Sequence, residues 1–75
     1  MKLGKVTGKI TMERSAESLQ KETVLLVEME GNSVAALDRA GAAEGDRVLV
    51  VMSHAAGRYS MEAPSDAVVV AVVKE

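Results

Sequence analysis

The stretch with the most evident chemical potential is the loop 41–46, GAAEGD, because closely spaced glycines can present backbone N–H groups to a phosphate. A phosphate-binding P-loop has four residues between its glycines, followed by Lys and then Ser or Thr. Here three residues separate Gly41 from Gly45, and Asp46 follows directly. Since an acid at that point repels a phosphate, the sequence argues against nucleotide binding.

The remaining candidates for catalysis or metal binding are few. His54 is the only imidazole, and its neighbour Ser53 points to the opposite face if both lie on a strand. Glu28 and Glu30 share one face of a predicted strand, as a carboxylate pair or a metal site would require, but a solvated outer face is the commoner arrangement. The sequence therefore predicts no enzyme, no cofactor and no metal site.

Composition indicates how such a short chain is stabilised. The 75 residues are expected to form one domain, whose core is small for independent stability. Disulfides are excluded because there is no cysteine, and a single histidine cannot supply the usual Cys/His zinc set. Tyr59 is the only aromatic residue, whereas there are twelve Val and eleven Ala. Association with further copies is the stabilising device that remains.

Charge and hydropathy exclude several partners. The formal net charge is −2, with acids and bases mixed along the chain, so no basic surface for nucleic acid is predicted. The first ten residues lack the apolar stretch of a secretory signal. The longest apolar run, residues 67–73, is far shorter than the roughly 20 residues that span a bilayer. These features predict a soluble cytoplasmic protein without membrane contact.

The elements that position these residues are predicted to be strands. The first strand alternates, with one face formed by Gly4, Val6, Gly8, Ile10 and Met12. Further strands are predicted in TVLLVEME, SVAAL, DRVLVVMS and DAVVVAVVKE, the last covered on both faces. Five short strands with short connections favour a small closed or nearly closed barrel.

Three connections carry specific predictions. Residues 13–22 are expected to be an exposed loop or to contain a short helical turn. Gly31-Asn32 predicts a hairpin turn. In residues 34–43 a two-turn helix competes with the strand on propensity, although Gly41 and Gly45 disfavour it. Residues 54–65 are expected to be irregular.

Four stretches of the sequence carry a family resemblance: the opening LGKVTGKI, SLQ before the second predicted strand, the loop and strand ALDRAGAAEGDRVLV, and the ending PSDAVVVAVV. In these stretches the chain resembles the EutN/CcmL family, the small pentameric vertex proteins of bacterial microcompartment shells. The match in ALDRAGAAEGDRVLV is the most specific of the four. The family's middle loop glycine is Ala43 here, where we expect the local backbone geometry to change, and Ala71 replaces another glycine.

The resemblance implies an all-β, five-stranded barrel of oligonucleotide-binding-like shape. It also implies a structural role in which a homopentamer caps the five-fold vertices of a carboxysome or metabolosome in the bacterial cytoplasm. Hexameric shell proteins would be its partners. The loop facing the five-fold axis or the neighbouring subunit would comprise Gly41, Ala42, Ala43, Gly45 and Asp46. Arg58 matches the family's arginine after the fourth strand and is a candidate interface residue, as Tyr59 is by residue type.

Two further expectations concern the role of Asp46 and an alternative function. An acid beside a run of loop N–H groups can accept charge-assisted hydrogen bonds, so Asp46 is predicted to bond amides of the loop 41–43, in its own chain or a neighbouring one. The alternative function is a barrel adaptor that binds a small molecule or a peptide.

Overall fold

The strands of the chain close into a barrel. The computed structural model describes residues 1–52 and 66–74. The strands are β1 Lys2–Ile10, β2 Val24–Met29, β3 Asn32–Asp38, β4 Arg47–Met52 and β5 Ala67–Val73. Their order around the barrel is β1-β2-β3-β5-β4, and every pairing is antiparallel except β3 with β5, which is parallel. The predicted all-β, five-stranded, oligonucleotide-binding-like barrel is confirmed.

Strand β1 follows the predicted alternation only in its first half. Val6 is buried in the barrel opposite Val27, but a bulge between Val6 and Gly8 shifts the register, so that Gly8 pairs with Leu26. Because paired residues point to the same face, the bulge moves Gly8 and the residues after it to the opposite alternation. The prediction that Gly8 and Ile10 share the inward face of Val6 is therefore wrong.

Gly4 shows why the first half of β1 contains a glycine. A Cβ at this position would lie 2.6 Å from Val27 Cγ1 and 2.7 Å from Met29 Cγ, which is closer than carbon atoms tolerate. At Gly8, by contrast, a Cβ would meet nothing within 4 Å. The expectation of close approach on the inner face thus holds for Gly4 alone.

The β2–β3 hairpin is confirmed, with its turn one residue earlier than predicted. Met29 pairs with Asn32, so Glu30 and Gly31 form the two-residue turn. Their φ angles are 52° and 83°, and such a pair of positive values suits the right-handed twist of the flanking strands. Asn32 is the first residue of β3 and not a turn residue.

Of the two segments with helical propensity, one forms a strand and the other contains a short helical turn. Residues 34–38 belong to β3, because pairing with both β2 and β5 outweighs a helical preference too short to persist alone. In the segment 13–22, the short helical turn is present as a 3-10 turn at Glu17–Leu19. Within the described residues no helix has the length and apolar character needed to cross a membrane.

Two apolar clusters pack on the two sides of the sheet. The larger one fills the barrel and is dominated by valine, including Val27, Val48 and Val50. The second lies outside, where Leu37, Val51 and Val68 pack beneath Leu19 of the long β1–β2 connection. Strand β5 is therefore buried on both faces at Ala67–Val69, as predicted, but its last part is more open, and Val72 is 46% exposed.

Candidate functional site

The candidate site is the loop 39–46, which connects β3 to β4 and contacts β1 at Val6, near the middle of that strand. The N–H of Arg39 donates to the carbonyl of Val69 in β5 at 3.0 Å. At the other end of the loop, Gly45 N donates to Val6 O at 2.8 Å, and Val6 N donates to Asp46 O at 2.9 Å. Backbone hydrogen bonds to two different strands therefore hold both ends of the loop.

The carboxylate of Asp38, the last residue of β3, organises the first half of the loop. Its Oδ1 accepts hydrogen bonds from Ala40 N at 2.9 Å and Gly41 N at 3.0 Å, while Ala42 N donates to Oδ2 at 3.1 Å. Gly41 has a φ of 70°, which a residue with a side chain rarely adopts. The amides that a phosphate would need are thus occupied by the chain's own acid.

Asp46 closes the second half of the loop. Ala43 N donates to Asp46 Oδ2 at 2.8 Å, and Asp46 N donates back to Ala43 O at 3.0 Å. Gly45 lies inside this turn with a φ of 94°. The predicted bond from a loop amide to Asp46 is present within one chain, but it reaches Ala43 only.

The hydrogen bonds from the other loop amides to Asp38 were not predicted from the sequence. An available signal was its position, because Asp commonly bonds backbone N–H groups two or more residues further along when a strand ends in a turn. Ala43, where the family's motif has glycine, has an ordinary negative φ, since Glu30 is the only non-glycine with a positive φ in the described part of the chain. Alanine is therefore accommodated at this position without backbone strain.

An ion pair fastens the loop to the residues before β2. Arg39 donates from Nη2 to Glu22 Oε2 at 3.0 Å and from Nη1 to Glu22 Oε1, so the contact is bidentate. This hydrogen bonding, with the charge of Arg39, holds the pKa of Glu22 below its ordinary value, and the same contact raises the pKa of Arg39. The two residues are 17 positions apart, and nothing in the sequence indicates that they meet.

A cleft of about 420 Å³ opens between the loop and the ends of β1 and β2. Leu25, which is almost fully buried, lies among its lining residues. Ala42 and Ala43 also line it, together with the acids Asp38 and Glu44. The cleft is thus mainly apolar with acidic groups on the side of the loop.

The two candidate acids of the predicted strand face lie away from this loop. Glu28 is exposed on β2, and Glu30 lies in the hairpin turn, where it pairs with Lys2 Nζ at 2.9 Å. Among residues 1–52 and 66–74, no three acids or histidines come together as a metal site would need. His54, Arg58 and Tyr59 lie outside the described residues.

Comparison with known proteins assigns the family. The family model described as ethanolamine utilisation protein EutN/carboxysome matches residues 1–74. The chain belongs to the EutN/CcmL family. A comparison with curated proteins found no match.

Solved structures of EutN/CcmL type share the barrel. The GrpN pentameric microcompartment shell protein from Rhodospirillum rubrum is 30% identical, with a TM-score of 0.85 over 100% of this chain and 95% of that one. EutN from Escherichia coli is 34% identical, with a TM-score of 0.85 over 100% and 87%. CcmL from Nostoc sp. is 30% identical, with a TM-score of 0.84 over 97% and 88%.

Proposed function

We propose that this chain is a structural shell protein whose homopentamer caps the five-fold vertices of a polyhedral bacterial microcompartment. The observation that carries the proposal is the EutN/CcmL match over residues 1–74. The relative from R. rubrum, described as a pentameric shell protein, supports it, because 95% of that chain is covered at 30% identity. The pentamer would act through its shape, since a cyclic pentamer supplies curvature that a flat sheet of hexamers lacks.

The loop 41–46 is the part of the chain proposed to face the five-fold axis or the next subunit. Gly41, Ala43 and Gly45 are exposed, so this loop presents backbone and methyl groups and could come close to its symmetry copies. Asp38 and Asp46 hold the loop in one conformation before assembly. A preformed loop loses less conformational entropy on association. Arg58 remains an interface candidate on the resemblance alone.

Hexameric shell proteins are the proposed partners, and the shell in the bacterial cytoplasm is the proposed location. The role requires no catalysis, so we propose that the chain is not an enzyme and binds no cofactor. Its relatives' names describe shell components and support this assignment at the level of the family.

Native mass spectrometry of the isolated chain tests the proposal. We expect a species of five times the 7.9 kDa chain mass. A stable ring of another size, or a single chain at all concentrations, would contradict the vertex role. A single chain whose melting temperature rises with a small molecule or peptide would favour the adaptor instead.

A further inference from the structure

The segment 11–23 between β1 and β2, which we call the strap, covers the apolar cluster on the outside of the barrel. Leu19, in the 3-10 turn of the strap, packs against this outer cluster. The buried members of the outer cluster are Leu37, Val51 and Val68. The strap is therefore held on the barrel by an apolar side chain of its own.

A single turn of backbone links Leu19 to the end of the strap. Leu19 N donates to Ala16 O at 2.9 Å, and Glu22 N donates to Leu19 O at 3.0 Å. Because Glu22 is bonded to the residue that packs on the barrel, its position is tied to the packing of Leu19.

Two neighbouring contacts join the end of the strap to the base of the loop 39–46. Asp38 N donates to Thr23 O at 2.9 Å, and the guanidinium of Arg39 donates to both carboxylate oxygens of Glu22. The side chains of Arg39 and Glu22 are 26% and 20% exposed, so salt screens this ion pair less than a pair on the open surface. We call these four residues the clamp.

The clamp includes the acid that organises the loop. The carboxylate of Asp38 accepts hydrogen bonds from the N–H groups of residues 40–42, while its own N–H donates to the strap. On the other side, Arg39 N donates to Val69 O in β5. A displacement of the strap therefore reaches the loop amides through consecutive residues of the clamp.

We propose that Glu22 and Arg39 are positioning residues that couple the strap to the loop 39–46, so that the loop keeps its conformation only while the strap is closed on the outer cluster. The loop is the segment proposed to face the five-fold axis or the next subunit, and a loop ordered before docking loses less entropy on association. Closure of the strap then favours assembly. This second step rests on the proposed function, whereas the coupling is a property of the single chain.

Hydrogen exchange of the loop amides tests the coupling. Leu19→Ala is the decisive variant, because it shortens a side chain that packs on the outer cluster, to which no residue of the loop belongs. We expect the exchange rates of amides 40–42, measured by NMR at one protein concentration, to rise about threefold or more in Leu19→Ala and in Glu22→Gln. The exchange rates of the β2 amides are expected to stay unchanged.

The matched control for both variants is Glu17→Gln, which lies in the strap at an exposed position and is expected to leave the loop amides unchanged. Loop amides that exchange at the original rate in Leu19→Ala overturn the coupling. An equal rise in the loop and in β2 would reflect a general loss of stability and also overturns it.

The double variant of Leu19→Ala with Glu22→Gln tests whether the two residues act along one path. If Leu19 acts on the loop through the clamp, the combined rise in exchange is expected to be smaller than the product of the two single effects. A combined rise equal to that product would mean that the residues act independently, which contradicts the role of the clamp.

Native mass spectrometry over a dilution series tests the step from coupling to assembly. We expect Leu19→Ala and Glu22→Gln to raise the concentration for half-assembly about threefold or more, and Glu17→Gln to leave it unchanged. If the unchanged chain forms no pentamer, the proposed function fails, while the exchange experiment still decides the coupling. If the pentamer forms and exchange is coupled but half-assembly is unaffected, the loop does not control assembly, and only this second step is overturned.

Discussion

At the scale of single residues, the loop depends on two acids that accept backbone hydrogen bonds. Asp38 bonds the amides of Ala40, Gly41 and Ala42, whereas Asp46 bonds that of Ala43. Four consecutive N–H groups are satisfied in this way without a strand partner. A short segment rich in small residues can therefore hold one conformation although it buries little apolar surface.

Asp38→Ala is expected to destabilise the fold by about 1–3 kcal/mol, because it leaves three amides of a partly buried loop without their acceptor. Asp46→Ala removes one bond and is expected to cost about 1 kcal/mol. Chemical denaturation at a single protein concentration measures both free energies of unfolding. Asp66→Ala, at an exposed position, serves as the control. An Asp38→Ala variant as stable as this control would show that the loop does not need its acceptor.

Glu22 is expected to make part of the stability sensitive to acid. Its pKa in the folded state is lowered below 4.5 by the hydrogen bonds from Arg39, so the unfolded chain binds the proton more readily. The stabilisation is present above pH 4.5 and is lost as the pH falls through the lower folded value. Denaturation at a series of pH values measures this as a difference between the unchanged chain and Glu22→Gln. The difference should shrink on acidification. A difference that stays constant with pH would contradict the role of the charge. Glu17→Gln, in the exposed 3-10 turn, is the control.

At the scale of elements, the bulge in β1 decides which side chains enter the barrel. Before it, Gly4 and Val6 face the core, and after it Gly8 pairs with the outward Leu26. A bulge bends its strand, which a closed barrel of five short strands requires. The two glycines of this strand therefore differ in role, although the sequence presents them alike.

Gly4→Ala and Gly8→Ala form a matched pair that tests this difference. At Gly4 the new methyl group would lie 2.6 Å from Val27 Cγ1, and such overpacking typically costs about 1–3 kcal/mol. At Gly8 the space is open, and the lower entropy of the unfolded chain is expected to leave stability unchanged or raise it by up to about 1 kcal/mol. Thermal and chemical unfolding at equal protein concentrations measure the stability of both variants. Equal losses in the two variants would contradict the assigned close contact.

At the scale of the whole molecule, the proposed ring would add buried surface to a barrel whose own core is small. The accessible surface of one chain is 5120 Å², and a typical specific interface covers about 800 Å² on each partner. A ring member with two neighbours would therefore cover roughly a third of its surface. Burial on this scale would compensate for a core built mainly from valine and alanine.

The melting temperature is accordingly expected to rise with protein concentration, because assembly stabilises the folded chain by mass action. Differential scanning calorimetry over a series of concentrations measures the shift. A melting temperature of the unchanged chain that is independent of concentration would mean that the subunit is stable by itself.

The sequence by itself determined the local structure of this protein. Alternating and valine-rich runs predicted the strands, Gly31 marked the β2–β3 hairpin to within one residue, and the motif around Gly41–Asp46 identified the family. These features are local, because strand period and turn preference are set by neighbouring residues. The resemblance then supplied the barrel, which the alternation alone left as closed or nearly closed.

Only the tertiary structure decided which distant groups meet. The parallel pairing of β3 with β5, the bulge after Val6 and the contact between Glu22 and Arg39 all arise when the barrel closes. Closure is a condition on the whole chain, since strand register must agree around the ring. No local pattern encodes it, and so the bulge in β1 and the contact between Glu22 and Arg39 emerged only from the structure.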